Sequence, residues 1–139
     1  MSSAPINAEA EAKRLRQTIT LAEQAIALAA DHRSARHAPG ETIAETTARW
    51  TEAAEIETAA KHCRLTARAA LAAVRVFPDK RSPEEIAEAI AEAKAAALDL
   101  KAACDAGQAA QNRRSLRLAA RDLKRAIAEA AADQKGGSL

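Results

Sequence analysis

The stretch FPDKRSPEE, residues 77–85, decides how the chain folds. Pro78 has no backbone N–H to donate and clashes with a preceding helical turn, so a helix that reaches this point must end. Ser82 is a favoured N-cap residue, Pro83 suits the first position of a helix, and Glu85 completes a capping box with Ser82. The stretch therefore ends one helix and starts the next, which predicts a helical hairpin.

Two helices are predicted upstream of this turn, over 7–31 and 42–77. In both, an apolar residue recurs every three or four positions, which places one apolar stripe along a helix. A capping residue stands at the start of each helix, Asn7 in the first and Thr42 in the second. Between them, residues 32–41 contain Pro and Gly and no apolar periodicity, so they are predicted to form a linker.

Downstream of the turn, the chain carries two apolar seams that are out of phase by two residues. The first seam ends before Gly107 and the second begins just after it. A reversal of the chain at Gly107 explains the offset and gives helices over 83–106 and 108–133. One continuous helix with a phase change explains it as well. We favour the reversal, followed by a flexible tail over 134–139.

These segments place the protein in the all-α class. The prediction is one helical domain over 1–139, an antiparallel bundle or a set of coiled-coil-like hairpins built from about four helices. Ala accounts for 41 of the 139 residues, and Ala is the strongest helix former. A buried Ala removes little apolar surface from water, so the core of a single chain is thin. Other subunits can complete the burial, and we therefore expect self-association or a protein partner.

No residue pattern in the sequence indicates an enzyme. The chain has neither a Glu-x-x-His pair nor a Cys-x-x-Cys pair, and metal sites need several ligands that converge. No Gly-rich phosphate loop follows a strand. Cys63 lies on an apolar stripe, where cysteine packs as a small hydrophobic side chain. We expect no catalytic residues, no cofactor and no metal.

The charge and hydropathy of the chain indicate a location. The net charge of +2 gives no general reason to expect nucleic acid or an anionic membrane as a partner. No uncharged apolar stretch approaches the roughly 20 residues that span a bilayer. The first residues lack the basic and apolar regions of a secretory signal. We expect a cytoplasmic protein that does not bind membranes.

Six residues are candidates for contacts with a partner. Trp50 and Phe77 are the only aromatic residues, and they are predicted to anchor the core or a partner surface. Four arginines spaced four residues apart form what we call the Arg row, which comprises Arg113, Arg117, Arg121 and Arg125. The Arg row can match acidic segments of the same or another subunit, contact phosphates, or face solvent. Acidic segments are favoured, because no aromatic side chains accompany the row to stack on bases.

The sequence thus predicts a non-enzymatic helical module for protein–protein interaction or assembly. The excess of Ala, and of Arg over Lys, is typical of GC-rich bacterial and bacteriophage genes. The expected role is a structural subunit or adaptor of a multi-subunit complex such as a bacteriophage virion, assembled from the cytoplasm. The alternative is a nucleic-acid-binding protein that uses the Arg row.

Overall fold

The computed structural model describes residues 6–35 and 40–137 of the chain, with side chains up to residue 133. These residues form three helices and no strand: α1 (Ala8–Ser34), α2 (Ile43–Arg75) and α3 (Pro83–Gly137). The all-α prediction is confirmed. The predicted count of four helices is wrong, because the segments 83–106 and 108–133 belong to one helix.

Each helix begins where the sequence places a capping residue. The Asn7 side chain accepts a hydrogen bond of 3.1 Å from the backbone N–H of Ala10. Thr42 accepts one of 3.1 Å from the N–H of Glu45, whose carboxylate returns to the Thr42 backbone to complete the capping box. The Ser82 hydroxyl accepts from the N–H of Glu85 at 3.2 Å. These bonds satisfy backbone donors that have no partner within a helix, and they fix where each helix starts.

Three predicted boundaries differ from the structure. Helix α2 ends at Arg75, two residues before the predicted end at residue 77. Helix α1 continues through His32 to Ser34, inside the predicted linker 32–41. Helix α3 continues to Gly137, so residues 134–137 of the predicted tail 134–139 are helical. The Ala-rich run before them explains this, because adding a residue to an existing helix costs far less than starting one. The rest of the tail, and residues 36–39 of the linker, lie outside the described residues.

Gly107 lies inside α3, where the sequence predicted a reversal. A Cβ atom built on Gly107 would lie 2.9 Å from Cδ1 of Ile56 on α2. The glycine therefore serves close packing of α3 on α2. The residues of α3 that face α2 follow a seven-residue repeat that passes through Gly107 without a shift: Ile86, Ala93, Leu100, Gly107, Arg114 and Arg121.

The offset between the two seams of α3 therefore reflects a change of face. The first seam packs against α2, whereas the second, which we call the outer seam, lies on another face of the same helix. Three large members of the outer seam are exposed, namely Leu116, Leu123 and Ile127. Its other members are Ala109, Asn112, Ala119 and Ala130. One continuous helix with a phase change is the correct interpretation of the sequence.

Helix α2 lies between α1 and α3 and runs antiparallel to both. Leu15, near the start of α1, packs with Val74 near the end of α2 and with Ile86 near the start of α3. At the opposite end, Arg49 of α2 contacts the last residues of α1. Helices α1 and α3 are each packed along α2 but touch one another at few places. A groove therefore remains open between α1 and α3.

The core changes in character along the bundle. Next to the α2–α3 turn it contains large side chains, including Leu15, Leu71 and Ile86. The middle is lined mainly by small residues around Leu100: Ala22, Ala25, Ala60, Cys63 and Ala96. Beyond Gly107, charged residues replace apolar ones on the α2-facing line of α3. No helix within the described residues has a stretch long and apolar enough to cross a membrane.

Replacing Ile86 with Ala should lower the free energy of unfolding by about 2 to 5 kcal/mol, because a fully buried aliphatic side chain leaves a cavity. Urea titration followed by circular dichroism measures the change. Leu65→Ala is the matched control, since Leu65 is 68% exposed on α2. Equal effects of the two substitutions would contradict the core described here.

Candidate interaction surfaces

A cluster of charged residues occupies the end of the bundle where the apolar core stops. We call it the charged cluster, and it comprises Glu41, Glu45, Arg49, Glu52, Arg114 and Arg121. Three of its members are buried although they carry charge, namely Glu45, Arg49 and Arg114. Buried charges are costly unless they are paired and hydrogen-bonded, so their pairing determines whether this end is stable.

Arg49 connects α2 to the end of α1. Its Nη1 donates to the backbone carbonyl of His32 at 2.6 Å and to that of Ala35 at 3.2 Å. Its Nη2 donates to the carboxylate of Glu41 at 3.3 Å. The last carbonyl groups of a helix have no partner within the helix and carry the negative end of its dipole. Arg49 therefore caps α1 from the neighbouring helix.

Arg114 connects α3 to α2 through a bidentate ion pair. Its Nη1 and Nη2 donate to the two carboxylate oxygens of Glu52 at 2.6 and 2.8 Å. The side chain of Arg114 is 7% exposed and that of Glu52 is 18% exposed. The hydrogen bond to Glu52 raises the pKa of Arg114. A planar guanidinium matches a carboxylate in this geometry, which makes the pair both strong and directional.

Glu45 joins the start of α2 to α3. Arg121 Nη2 lies 2.9 Å from one of its carboxylate oxygens, and Arg117 Nη2 lies 3.8 Å from the other. The hydrogen bond from Arg121 is the main cause that lowers the pKa of Glu45. Arg121 also donates to the backbone carbonyl of Gly40 at 2.6 Å. This arginine therefore holds the α1–α2 connection against α3.

The structure separates the members of the Arg row. Arg117 and Arg121 face Glu45 in the acidic first half of α2. Arg125 lies 3.5 Å from Asp122 on its own helix, and Arg113 is exposed. The row was expected to match acidic segments, and the segment that it meets is the first half of α2. The acidic residues over 83–106 lie on the same helix as the row, because α3 does not reverse. The row runs along α3, with two of its arginines at the charged cluster.

An apolar groove runs between α1 and α3 with α2 as its floor. We call the end of the bundle at the α2–α3 turn its lower end and the end at the charged cluster its upper end. The lower part of the groove has a volume of about 670 Å³ and the upper part about 430 Å³, and the two parts share Ala25, Leu28 and Cys104. Leucines form the walls: Leu21 and Leu28 on α1, and Leu98 on α3. Small residues line much of the rest: Ala25, Ala29, Cys63, Ala97 and Gly107. We call this the α1/α3 groove.

Polar groups border the α1/α3 groove at both ends. Lys94 and Lys101 flank the lower part on α3. His32 and Glu52 line the upper part, next to the charged cluster. The groove thus has an apolar middle and charged borders, which is the anatomy of a protein interface.

The end of α3 extends past the rest of the bundle. The last contacts with α1, α2 or their connection that we describe are those of Arg121 with Glu45 and Gly40. All side chains over 122–133 are exposed. We call residues 122–133 the C-terminal arm. It exposes Leu123 and Ile127 of the outer seam at 61% and 60%.

The two aromatic candidates lie in different environments. Phe77 is partly buried and packs against the lower core. Trp50 is 50% exposed on α2. Cys63 and Cys104 are free thiols in the middle cluster, and burial raises the pKa of both. Burial favours the neutral thiol, which is the less reactive form.

Within the described residues, no group of three or more His, Cys, Asp or Glu side chains is arranged to hold a metal ion. The chain matches no protein-family model, and neither a curated protein nor a solved structure is detectably similar to it. Function must therefore be inferred from the charged cluster, the α1/α3 groove and the C-terminal arm.

Sequence reasoning missed Arg114 as the central member of the charged cluster. The signal was present, because counting by sevens from Ile86 reaches Arg114 on the face that packs against α2. The row spaced by fours does not include Arg114, although it shares Arg121 with the repeat that faces α2. The α1/α3 groove had no comparable signal, since it depends on how far apart two helices lie.

Replacing Arg114 with Met should lower the free energy of unfolding by about 2 to 4 kcal/mol, because Glu52 then keeps a poorly solvated charge without its partner. The double variant Arg114→Met, Glu52→Leu should recover most of the loss, since two apolar side chains leave no charge behind. Chemical denaturation of the variants measures this cycle. Arg113→Met, at the adjacent exposed arginine, should change stability by less than about 0.5 kcal/mol. An additive double variant would mean that the two residues do not act as a pair.

Acid should destabilise the charged end in two steps. Burial, followed by the charges of Arg49 and Arg114, lowers the pKa of His32 below its ordinary 6.5. The unfolded chain therefore binds more protons than the folded one as pH falls through 6.5, and stability declines. A second decline should follow below about 4.5, where Glu45 loses the stability that its lowered pKa provides.

Thermal melting between pH 8 and pH 3.5 measures this profile. His32→Asn should remove the first decline and keep the second. His62→Asn, at an exposed histidine of α2, is the control and should keep both. A profile with no loss of stability between pH 7 and pH 5.5 in the unmodified chain would contradict the assignment to His32.

Proposed function

We propose that this protein is a non-enzymatic helical interaction module that binds an amphipathic helix in the α1/α3 groove. The observation that carries the proposal is the exposure of three leucines, Leu21, Leu28 and Leu98, along the two walls of one groove. An amphipathic helix buries its apolar stripe in such a groove through anchors spaced three, four and seven residues apart.

The thin core supports the same proposal. Around Leu100 the middle cluster consists mainly of Ala and Cys side chains, which contribute little buried area. Helices that pack through small residues approach closely on one side and leave larger side chains to project on the other. A fourth helix in the groove would cover the wall leucines and complete a four-helix arrangement.

The charged cluster supports binding by holding the groove open in one geometry. Arg49 fixes the end of α1 on α2, and Arg114 fixes α3 on α2 at the same level. Because α1 and α3 touch at few places, their spacing depends on these separate links to α2. A site built on rigid helices costs less ordering on binding than a site that must form.

The proposed setting is a multi-subunit assembly in which this chain is a structural subunit or an adaptor. A bacteriophage virion, assembled in the bacterial cytoplasm, is one such assembly and agrees with the Ala-rich and Arg-rich composition. The groove and the C-terminal arm are two apolar surfaces on one chain. Large exposed apolar surfaces of this kind are typical of sites where a subunit contacts its neighbours.

Nucleic-acid binding is the second candidate, because Arg113 and Lys124 remain exposed in the second half of α3. It has weaker support, since Arg117 and Arg121 pair with Glu45 and Arg125 pairs with Asp122. Phosphate contacts would have to compete with these carboxylates.

A photoreactive benzoylphenylalanine at position 98 tests the proposal in cells that carry the gene. It should form a crosslink to a polypeptide, and the yield should drop when Leu21 and Leu28 on the opposite wall are changed to Asp. The same group at position 65, which is equally exposed on α2, is the control. Equal crosslinking at both positions, or none at 98, would refute the groove as a binding site.

The triple variant Arg113→Gln, Arg117→Gln, Arg121→Gln separates the second candidate from the first. A phosphate-binding protein would lose affinity for DNA or RNA and show a smaller salt dependence. The interaction module should instead lose stability, because Glu45 loses both arginine partners. A gel shift at physiological salt that this variant abolishes would make nucleic acid the better account.

A further inference from the structure

The charges along one edge of α3 change from basic to acidic, so that two copies of this edge laid antiparallel would place opposite charges side by side. Counting by sevens, this edge carries two lysines, then two neutral polar residues, then two acids: Lys94, Lys101, Gln108, Ser115, Asp122 and Glu129. Its lysines flank the α1/α3 groove, and its acids lie on the C-terminal arm. We call this series the charge edge.

Two copies of α3 laid antiparallel bring opposite charges together in one register. With the crossing point between residues 111 and 112, Lys94 of each copy lies at the level of Glu129 of the other. Lys101 lies at the level of Asp122 in the same register, and Gln108 at the level of Ser115. Four opposite-charge pairs and two neutral pairs result, and no like charges on the charge edge meet.

We propose that the α1/α3 groove binds the C-terminal part of α3 from a second copy of this chain, antiparallel, so that two copies exchange these segments about a two-fold axis. The inference rests on the proposed function, because it names the occupant of the same groove. Each copy then supplies one groove and one helix, which makes the interface isologous and closed.

The apolar residues fit the same register. Leu123 of one copy reaches the level of Leu100 in the groove of the other, and Leu116 reaches the level of Gly107. Ile127 falls at the level of Ala96 and Ala97, between the walls formed by the leucines.

The lengths agree as well. The groove spans Lys94 to Gln111 on α3, which is about 26 Å at the rise of an α-helix. In the register above, the groove faces residues 112–129 of the other copy, and this helical segment also measures about 26 Å. One segment therefore fills one groove along its whole length.

A chain cannot place this segment in its own groove, because α3 is one uninterrupted helix and its end points away from the bundle. A parallel arrangement between copies also pairs Lys94 with Asp122 and Lys101 with Glu129. It brings Asp105 to the level of Asp133, however, and it leaves one groove and one arm unfilled at the ends of an open chain. The antiparallel arrangement avoids both the approach of two acids and the unfilled surfaces.

The size of the purified full-length chain, measured by light scattering and sedimentation over a range of concentrations, tests the pairing. We expect a mass of twice 14.6 kDa at micromolar concentration. Leu123→Asp with Ile127→Asp should weaken the dimer by roughly 100-fold or more, because charges then enter the groove. Leu65→Asp, at an exposed leucine away from the groove, should leave the mass unchanged.

A charge exchange tests the register independently of folding. Lys94→Glu and Glu129→Lys each place like charges together twice in their own dimers, so each variant alone should dimerise roughly 10-fold more weakly. Mixed in equal amounts, the two variants form a heterodimer in which both pairs are again opposite in charge. Mixing should therefore restore the mass of a dimer, at low salt most of all.

Three outcomes would overturn the inference. One is a mixture that stays as weak as its components, and another is a mass that grows beyond a dimer with concentration, as a head-to-tail chain does. The third is a monomer at every concentration. A monomer that still crosslinks through position 98 to a different polypeptide leaves the proposed function standing and removes only the second copy as occupant. A monomer without any crosslink removes both.

Discussion

The bidentate pair between Arg114 and Glu52 is the interaction on which the upper half of the molecule depends. Below Gly107, apolar side chains hold α3 on α2, but above it the repeat that faces α2 carries arginines. At this level the α2-facing repeat has no apolar side chain, so α3 is held against α2 by the ion pair of Arg114. Two charges removed from water repay their desolvation only in good geometry, and the two short hydrogen bonds of this pair provide it.

The same pair explains why α3 remains one helix. An isolated helix gains little from propensity alone, so the continuation of α3 needs contacts beyond its apolar seam. Arg114 and Arg121 supply them at successive steps of the seven-residue repeat, to Glu52 and Glu45. The basic part of α3 therefore packs along the acidic first half of α2. The Ala-rich residues beyond Arg121 continue the helix from a segment that is already ordered.

Local signals in the sequence were sufficient for the all-α class and for the starts of the three helices. Asn7, Thr42 and Ser82 act through hydrogen bonds to residues three positions away, so their roles can be recognised without the tertiary structure. Gly107 could not be interpreted in this way. A glycine ends a helix or allows a close approach, and only the position of Ile56 distinguishes the two. The partners of the Arg row could not be assigned for the same reason, since they depended on whether the chain reversed there.

A change of seam phase within one helix indicates a change of partner, and α3 shows why. Its first seam is in phase with the repeat that faces α2, and its outer seam is not. If all the apolar residues of α3 packed against α2, the apolar seam would keep one phase along the whole helix. Leucines at 116 and 123 and isoleucine at 127 stand on a face that α2 does not cover, at a spacing that suits a helix partner. The charge edge beside them has the order of charges expected for antiparallel pairing with the same edge of a second copy. An outer seam and a charge edge on the same helix are therefore most simply explained by one neighbour, and a second α3 supplies both the apolar groove and the opposite charges.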